Sequence, residues 1–106
     1  MSKEDQLLLA QAKIFKALGH PKRLRMAAAL CSGEQCVCTL QTLVDEDMST
    51  VSRHLGVLRE SGIISGRKRG TYMYYHLNMH CLQTVLGCTE NMILRSHLSL
   101  PPRDIK

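Results

Sequence analysis

The sequence predicts a mainly α-helical domain of five helices that carries one β-hairpin. Apolar residues recur at helical spacing over most of the 106 residues. The period changes to that of β-strands between residues 63 and 77, where glycines at 66 and 70 mark a turn. The length suits a single domain, so we expect one unit over residues 1–106, with frayed tails at 1–5 and 99–106.

Caps and helix breakers divide the helical pattern into separate elements. Gly19 ends the first helix, and Pro21 suits the first position of the second because its missing N–H has no partner there. Asp47 is placed to cap the fourth helix, and Gly62 follows its end. The predicted helices span residues 3–18, 21–30, 35–44, 48–61 and 79–98.

The β-hairpin is predicted from two short runs of β-prone residues. They cover 63–65 and 72–77, and a turn over 66–70 joins them. Three basic residues fill the middle of this turn: Arg67, Lys68 and Arg69. The hairpin therefore presents a basic tip.

The charges are segregated along the chain, which has a net charge of +5. Residues 34–52 contain four acidic and no basic side chains, whereas residues 53–76 contain five basic side chains and Glu60. A basic segment of this kind suits a polyanion such as DNA, because Lys and Arg release the counterions bound to the phosphates. A solvated basic surface is the alternative interpretation.

The fourth predicted helix combines an apolar face with a face of small polar and basic side chains. The second face consists of Ser49, Thr50, Ser52, Arg53 and His54. A helix of this type can lie in the major groove, where hydroxyls bond to base edges and an Arg can bond a guanine at two atoms. The basic hairpin would then lie beside the phosphate backbone. The third and fourth helices therefore form a predicted helix-turn-helix, and the hairpin forms its wing.

Several other protein classes do not fit the sequence. It has no Cys separated from an Arg by the five residues of a phosphatase loop, no Gly-rich phosphate loop and no His-Glu-x-x-His motif, so we do not expect an enzyme. No apolar run is long enough to span a membrane, and the N-terminus lacks a secretory pattern. We expect a soluble, cytoplasmic protein whose five cysteines are reduced.

Four segments together resemble the ArsR/SmtB family of winged-helix, metal-sensing repressors. The resemblance covers roughly residues 10–95. The segments are Ala-Leu-Gly-His-Pro-Lys-Arg-Leu at 17–24, Gly-Glu-Gln-Cys-Val-Cys at 33–38, Ser-Thr-Val-Ser-Arg-His-Leu at 49–55 and Leu-Arg-Glu-Ser-Gly-Ile-Ile at 58–64. This resemblance implies a homodimer built on the first and fifth helices, a double-stranded operator with an inverted repeat, and release of the DNA when an inducer binds.

The resemblance also implies an inducer site. Cys36 and Cys38 stand where the thiol-sensing branch of the family carries its ligands. Thiolates prefer soft ions, so As(III) or Sb(III) is the expected inducer, Cd(II) and Pb(II) also fit, and no permanent cofactor is expected. Residues two apart on an α-helix point about 200° apart, so we predict that ion binding remodels this turn.

The third thiol ligand is less clearly marked. The arsenic-sensing members of the family often have a third Cys at the position where this chain has Gln41. Cys31 is the candidate for the third ligand here, because it lies five residues before Cys36 across a short turn. Cys81 and Cys88 share one face of the fifth helix and remain alternatives, from either subunit. The zinc- and nickel-sensing branch of the family binds its metal through carboxylates and histidines on the fifth helix. At the equivalent positions of this chain only His80 could bind a metal, so we do not expect such a site.

A thiol-redox or persulfide sensor on the same fold is the alternative function. Cys31 and Cys88 could form a cross-link between the second and fifth helices. That function would leave Cys36 and Cys38 without a role. The sequence does not identify the inducing ion, the operator sequence or the regulated genes.

Overall fold

The structure is a computed structural model that describes residues 1–96, 100 and 101. Over these residues, the chain forms five α-helices and a three-stranded antiparallel sheet with strand order β1-β3-β2. The mainly α-helical fold class with a β-hairpin wing is therefore confirmed. The elements are α1 (Lys3–Leu18), α2 (Pro21–Ala29), β1 (Gln35–Cys36), α3 (Val37–Val44), α4 (Met48–Glu60), β2 (Ile64–Arg69), β3 (Tyr72–Leu77) and α5 (Leu82–Arg95).

Three helices begin where the sequence predicts, because local caps fix their starts. The hydroxyl of Ser2 accepts the backbone N–H of Asp5 and caps α1. Pro21 begins α2, and the His20 side chain before it accepts the N–H of Lys22 at 3.1 Å. Asp47 caps α4. Each cap satisfies N–H groups that have no partner inside their helix.

The predicted start of the third helix is wrong by two residues. Gln35 and Cys36 form β1, which pairs with Tyr75 and Tyr74 of β3, and α3 begins only at Val37. The apolar spacing marked the body of this helix but not its start, because the strand forms through contacts with a distant segment. A 3-10 turn, Leu30–Ser32, follows α2.

The predicted N-terminal tail, residues 1–5, overlaps the predicted first helix, and Lys3 to Asp5 belong to α1. The last helix differs from the prediction. The fifth helix begins at Leu82 instead of Met79 and is helical to Arg95. Its predicted end at Leu98 lies outside the described residues, as does most of the predicted tail at 99–106.

The hairpin is longer than predicted and its turn is shorter. β2 runs to Arg69, which pairs with Tyr72, so the turn consists of Gly70 and Thr71. Gly70 has a φ of +62°, a conformation that favours glycine. Gly66 pairs with Tyr75, and a Cβ on it would lie 2.8 Å from the Tyr75 ring. This glycine is therefore required by the close approach of the ring.

The hydrophobic core lies between α2, α3, α4 and the base of the sheet. Its largest fully buried side chains are Met26, Leu40, Val51, Leu55, Leu58, Ile63, Ile64 and Leu82. α1 contributes Ala17 and Leu18 to this core, and α5 contributes Leu82. Both helices leave large apolar side chains exposed, namely Leu7, Leu8, Leu9, Phe15, Met92, Ile93 and Leu94.

The turn between α3 and α4 is fixed to the second helix. Lys22 is buried and forms an ion pair with Glu46 of this turn, and the Gln41 amide donates to the Glu46 carbonyl at 3.2 Å. Asp45 ends α3 in the left-handed conformation at φ 52°. These contacts set the orientation of α4. None of the helices in the described part of the chain combines the length and apolar character that a membrane span requires.

Candidate nucleic-acid interface and thiol pair

The fourth helix begins with a hydrogen-bonded cap that involves two of its polar residues. The Asp47 carboxylate accepts the Thr50 N–H at 2.9 Å and the Ser49 hydroxyl at 3.2 Å. Hydrogen bonds from Thr50 and then from Ser49 hold the pKa of Asp47 below its usual value. The Ser49 hydroxyl would have to leave this cap, or share its bond, in order to donate to a base.

The exposed side of α4 carries three of the predicted DNA-contacting residues. Ser49, Ser52 and Arg53 are exposed, and Thr50 is half-buried at the edge of the helix. Val51 and Leu55 point into the core on the opposite side. The helix therefore presents hydroxyl groups and one guanidinium to solvent within its first two turns. This set can approach base edges in a major groove.

His54 lies on the inner side of α4, so its predicted position on the polar face is wrong. Only 8% of this residue is exposed, the centre of its ring lies 4.4 Å from that of the His20 ring, and its Nδ1 lies 3.3 Å from a guanidinium nitrogen of Arg23. Because a guanidinium can only donate, Nδ1 accepts, which requires a neutral ring with its proton on Nε2. Burial first, and then the positive groups around it, lower the pKa of His54.

The three basic residues of the wing lie in β2 and not at the tip. Arg67 and Arg69 both contact the Glu34 carboxylate, through Arg67 Nε at 3.2 Å and Arg69 Nη2 at 2.6 Å. The Arg69 guanidinium also lies 4.1 Å from the centre of the Tyr74 ring, a cation–π contact. Lys68 is exposed and points to the other face of the hairpin, as strand alternation requires.

The two predicted thiol ligands lie side by side at the start of α3. Cys36 is the N-cap, with an extended backbone, and its sulfur accepts the Cys38 N–H at 3.4 Å. The two Sγ atoms are 2.6 Å apart. The expectation that these sulfurs diverge by about 200° is wrong, because Cys36 lies outside the helix. Both sulfurs can therefore face one ion without any prior unwinding of α3.

The two thiols affect each other's protonation. The hydrogen bond from the Cys38 thiol lowers the pKa of Cys36, and the backbone N–H groups of the first turn act in the same direction. The same side-chain bond raises the pKa of Cys38. Cys36 is thus the first of the pair to become a thiolate, and thiolate is the form that binds soft ions.

The remaining cysteines do not join this pair. Cys31 is half-buried in the turn after α2, and its thiol lies 3.9 Å from the Ala27 carbonyl. Cys81 and Cys88 are exposed, and all five cysteines are free. Within the described residues, no three His, Cys, Asp or Glu side chains are arranged to hold one ion. The described part of the chain thus brings two sulfurs together and places no third candidate ligand beside them.

Glu34 is a charged residue of this region that the sequence pattern alone does not identify. Glu34 stands at the end of the 3-10 turn, 33 positions before Arg67, and its ion pairs form only when β1 joins β3. The charge pattern contained a weak signal, because Glu34 begins the acidic stretch that precedes the basic one. That pattern does not specify which acid meets which base.

Comparison with known proteins places these features in a family. Residues 20–65 match the family described as bacterial regulatory protein, arsR family. This match includes the thiol pair and all of α4. It therefore agrees with the resemblance that the sequence motifs predict.

Individual relatives cover more of the chain. The arsenical resistance operon repressor of Escherichia coli K12 is 41% identical over 73 residues, which are 68% of this chain and 62% of that protein. The arsenical resistance operon repressor of Bacillus subtilis is 37% identical over 76 residues, or 71% of this chain and 72% of that protein. This chain thus spans less than two thirds of the E. coli repressor.

A solved structure shares the whole architecture. It is the homodimeric winged helix-turn-helix DNA-binding domain of Mb0332 from Mycobacterium bovis, with a TM-score of 0.76 and 24% identity. The match covers 96% of this chain and 97% of that domain. At this identity the comparison establishes the fold.

Proposed function

Because this chain belongs to the arsR family of bacterial regulatory proteins, we propose that it is a dimeric, cytoplasmic transcriptional repressor released from DNA by a soft, thiophilic ion. The adjacent sulfurs of Cys36 and Cys38 at the start of α3 are the observation that carries this proposal. As(III) and Sb(III) are the preferred inducers, in keeping with relatives named as arsenical resistance repressors.

The DNA-binding surface consists of α4 and the wing. Ser49, Thr50, Ser52 and Arg53 read base edges from α4, and Arg67, Lys68 and Arg69 contact the phosphates. The basic charge of residues 53–76 supports this assignment, since phosphate contacts are electrostatic. His54 is left out of the surface because it is buried between α2 and α4.

Dimerisation uses the apolar faces that α1 and α5 leave exposed. Leu7, Leu8 and Phe15 on α1 are each about 60% exposed, and Met92 and Leu94 on α5 are exposed to a similar degree. An apolar patch of this kind on a small domain is typical of a subunit interface. A symmetric dimer presents two copies of α4, which require an inverted repeat in the operator.

The thiol pair supplies the first two ligands of the inducer. Its donor set fits a soft ion, because both groups are sulfurs and the hydrogen bond from the Cys38 thiol lowers the pKa of Cys36. Cys31 is the proposed third ligand, which requires the turn Leu30–Ser32 to move towards the pair. Cys36 also caps α3, so an ion on its sulfur acts directly on the helix that supports α4.

A titration of DNA-bound protein tests the proposal. Fluorescence anisotropy of a labelled operator would be recorded while As(III), Sb(III), Cd(II), Pb(II) or Zn(II) is added. We expect As(III) or Sb(III) to release the DNA at the lowest concentration, and Zn(II) to be much less effective. Release by Zn(II) at the lowest concentration would contradict the assignment of a soft thiolate site.

Mass spectrometry separates ion sensing from the redox alternative. Under As(III), the released protein should carry the metalloid in stoichiometric amount and no new disulfide. If peroxide or persulfide treatment instead releases the DNA and forms a Cys31–Cys88 bridge, the protein is a thiol-redox sensor.

A further inference from the structure

We propose that Glu34 is the positioning residue through which the thiol pair controls the DNA-contacting arginines of the wing. This inference rests on the proposed function, since it concerns how ion binding at Cys36 and Cys38 weakens DNA binding. Part of that effect would pass directly from β1, which contains Cys36, to the wing, in addition to movement of α3 beneath α4.

The Glu34 carboxylate contacts two arginines of the wing. Glu34 Oε1 accepts Arg69 Nη2 at 2.6 Å, and Glu34 Oε2 accepts Arg67 Nε at 3.2 Å. The Glu34 side chain is more buried than either partner, with 24% of it exposed against 62% for Arg67 and 52% for Arg69. The glutamate is thus the more enclosed member of the cluster, and the guanidinium groups extend towards solvent.

A short stretch of backbone connects this carboxylate to the thiols. Glu34 directly precedes β1, and Cys36 is the last residue of β1 and the N-cap of α3. Cys36 pairs with Tyr74 of β3, and the Tyr74 ring lies under the Arg69 guanidinium. Arg69 is therefore held by two groups, Glu34 and Tyr74, and both are attached to the strand pair that contains Cys36.

DNA binding requires that the guanidinium groups of these arginines face its phosphates. A phosphate can take only the N–H groups that Glu34 leaves free, and the carboxylate cancels part of the positive charge that attracts the phosphate. The position of Glu34 thus determines how many guanidinium N–H groups face outwards. An ion that binds the Cys36 sulfur displaces the bonds this sulfur makes and shifts the end of β1. The arginines follow Glu34 and lose their alignment with the phosphates.

Lys68 provides an internal contrast. It lies between the two arginines in sequence but points to the opposite face of β2, and within the described residues it forms no ion pair. Its contact with DNA should therefore be independent of the thiol pair. Only the arginine face of the wing is connected to the inducer site.

The test compares Glu34→Gln with Glu60→Gln in the full dimeric protein. Glu60 is an exposed acid at the end of α4, so its variant removes the same charge away from the wing. Operator dissociation constants would be measured with and without sodium arsenite, and arsenite binding would be followed separately by the ultraviolet absorbance of sulfur–arsenic bonds. The coupling is the ratio of the two dissociation constants.

We expect Glu34→Gln to bind arsenite as the wild type does, while its coupling falls about two- to fivefold, the range that exposed ion pairs supply. Glu60→Gln should retain the wild-type ratio, and Glu34→Asp, which keeps the charge, should recover part of it. The NMR signal of Arg67 Nε–H should shift on arsenite binding in the wild type but not in Glu34→Gln.

Other outcomes overturn the inference in distinguishable ways. If Glu34→Gln keeps the full wild-type ratio, Glu34 does not couple the sites, although the proposed function stands. If Glu34→Gln fails to bind arsenite, the residue acts on the ion site itself and not between the sites. If arsenite does not release the wild-type protein from DNA, the proposed function fails together with the coupling.

Discussion

Arg53 and Arg69 carry the same charge at the residue scale but occupy different surroundings. Arg53 stands exposed on α4, whereas Arg69 lies in the wing against Glu34 and Tyr74. In the proposed complex, a guanidinium on α4 would reach base edges, while one in the wing would reach phosphates, which are the same for every sequence. The two arginines should therefore contribute to different properties of DNA binding.

Alanine substitutions separate these contributions. Arg53→Ala should reduce the preference for operator over unrelated DNA by about 1–3 kcal/mol. Arg69→Ala should weaken binding to all DNA similarly and reduce the slope of log K against log salt by about one. Competition and salt titrations with both duplexes measure these effects. Loss of operator binding alone in Arg69→Ala would show that the two roles are exchanged.

His54 makes stability depend on pH. Its pKa is lowered in the folded protein by burial, with positive charge from His20, Arg23 and Arg53 adding to the effect and Glu46 opposing it. Because the unfolded chain binds the proton more readily, the stabilisation is present above about pH 6.5 and is lost as the pH falls below that value.

Chemical unfolding at pH 7.5 and pH 5.5 tests this expectation. The free energy of unfolding should fall at the lower pH in the wild type, and the fall should be smaller in His54→Gln. His76→Gln is the matched control, because His76 is exposed. If both variants retain the full pH dependence, another group is responsible.

At the element scale, α4 is held by one row of buried side chains and presents the other to solvent, where we propose that it reads DNA. Leu55 is 1% exposed in the middle of this helix, while Ser52 nearby is exposed. Leu55→Ala should cost about 2–5 kcal/mol of unfolding free energy, because it leaves a cavity. Ser52→Ala should change stability by less than about 0.5 kcal/mol. Equal effects of both changes, measured by denaturant titration at one protein concentration, would contradict this division of the helix.

The elements that the sequence predicts well are those fixed by neighbouring residues. The starts of α2 and α4 follow from Pro21 and Asp47, which act within three or four positions. β1 could not be predicted in this way, since two residues contain no period and its pairing depends on β3. The same missing strand explains why the thiols were expected to diverge.

The candidate site was partly predictable for the same reason. The residue types at positions 36 and 38 and on α4 could be read directly from the motifs. The burial of His54 could not, because its neighbours His20 and Arg23 come from another helix. Glu34 was missed since its partners are more than 30 positions away.

For the whole molecule, the apolar faces of α1 and α5 predict a dimer that a charged substitution in these faces should dissociate. Phe15→Asp should weaken the subunit interface at least about 100-fold, because two phenylalanine side chains per dimer lose their burial. Lys13→Ala, on the same helix, is the control. Sedimentation equilibrium measures the dissociation constant, and a Phe15→Asp protein that remains as tightly dimeric as the wild type would place the interface elsewhere.

The thiol pair connects these scales, because Cys36 ends a strand of the wing sheet and caps the helix beneath α4. A coupling of about 1–3 kcal/mol between the ion and DNA would weaken operator binding roughly 5- to 150-fold. The cysteine thiols must lose their protons in order to bind the ion, so the effect should depend on pH, and a competing dithiol should reverse it by taking up the ion.

Operator binding by Cys36→Ser and Cys38→Ser, measured with and without As(III), tests the central claim most directly. Both variants should bind the operator as the wild type does in the absence of As(III) and should no longer release it when As(III) is added. Cys31→Ser should respond more weakly if Cys31 is the third ligand, and Cys81→Ser should respond normally. If Cys36→Ser and Cys38→Ser both release the operator at the As(III) concentration that releases the wild type, the inducer site is not at the start of α3.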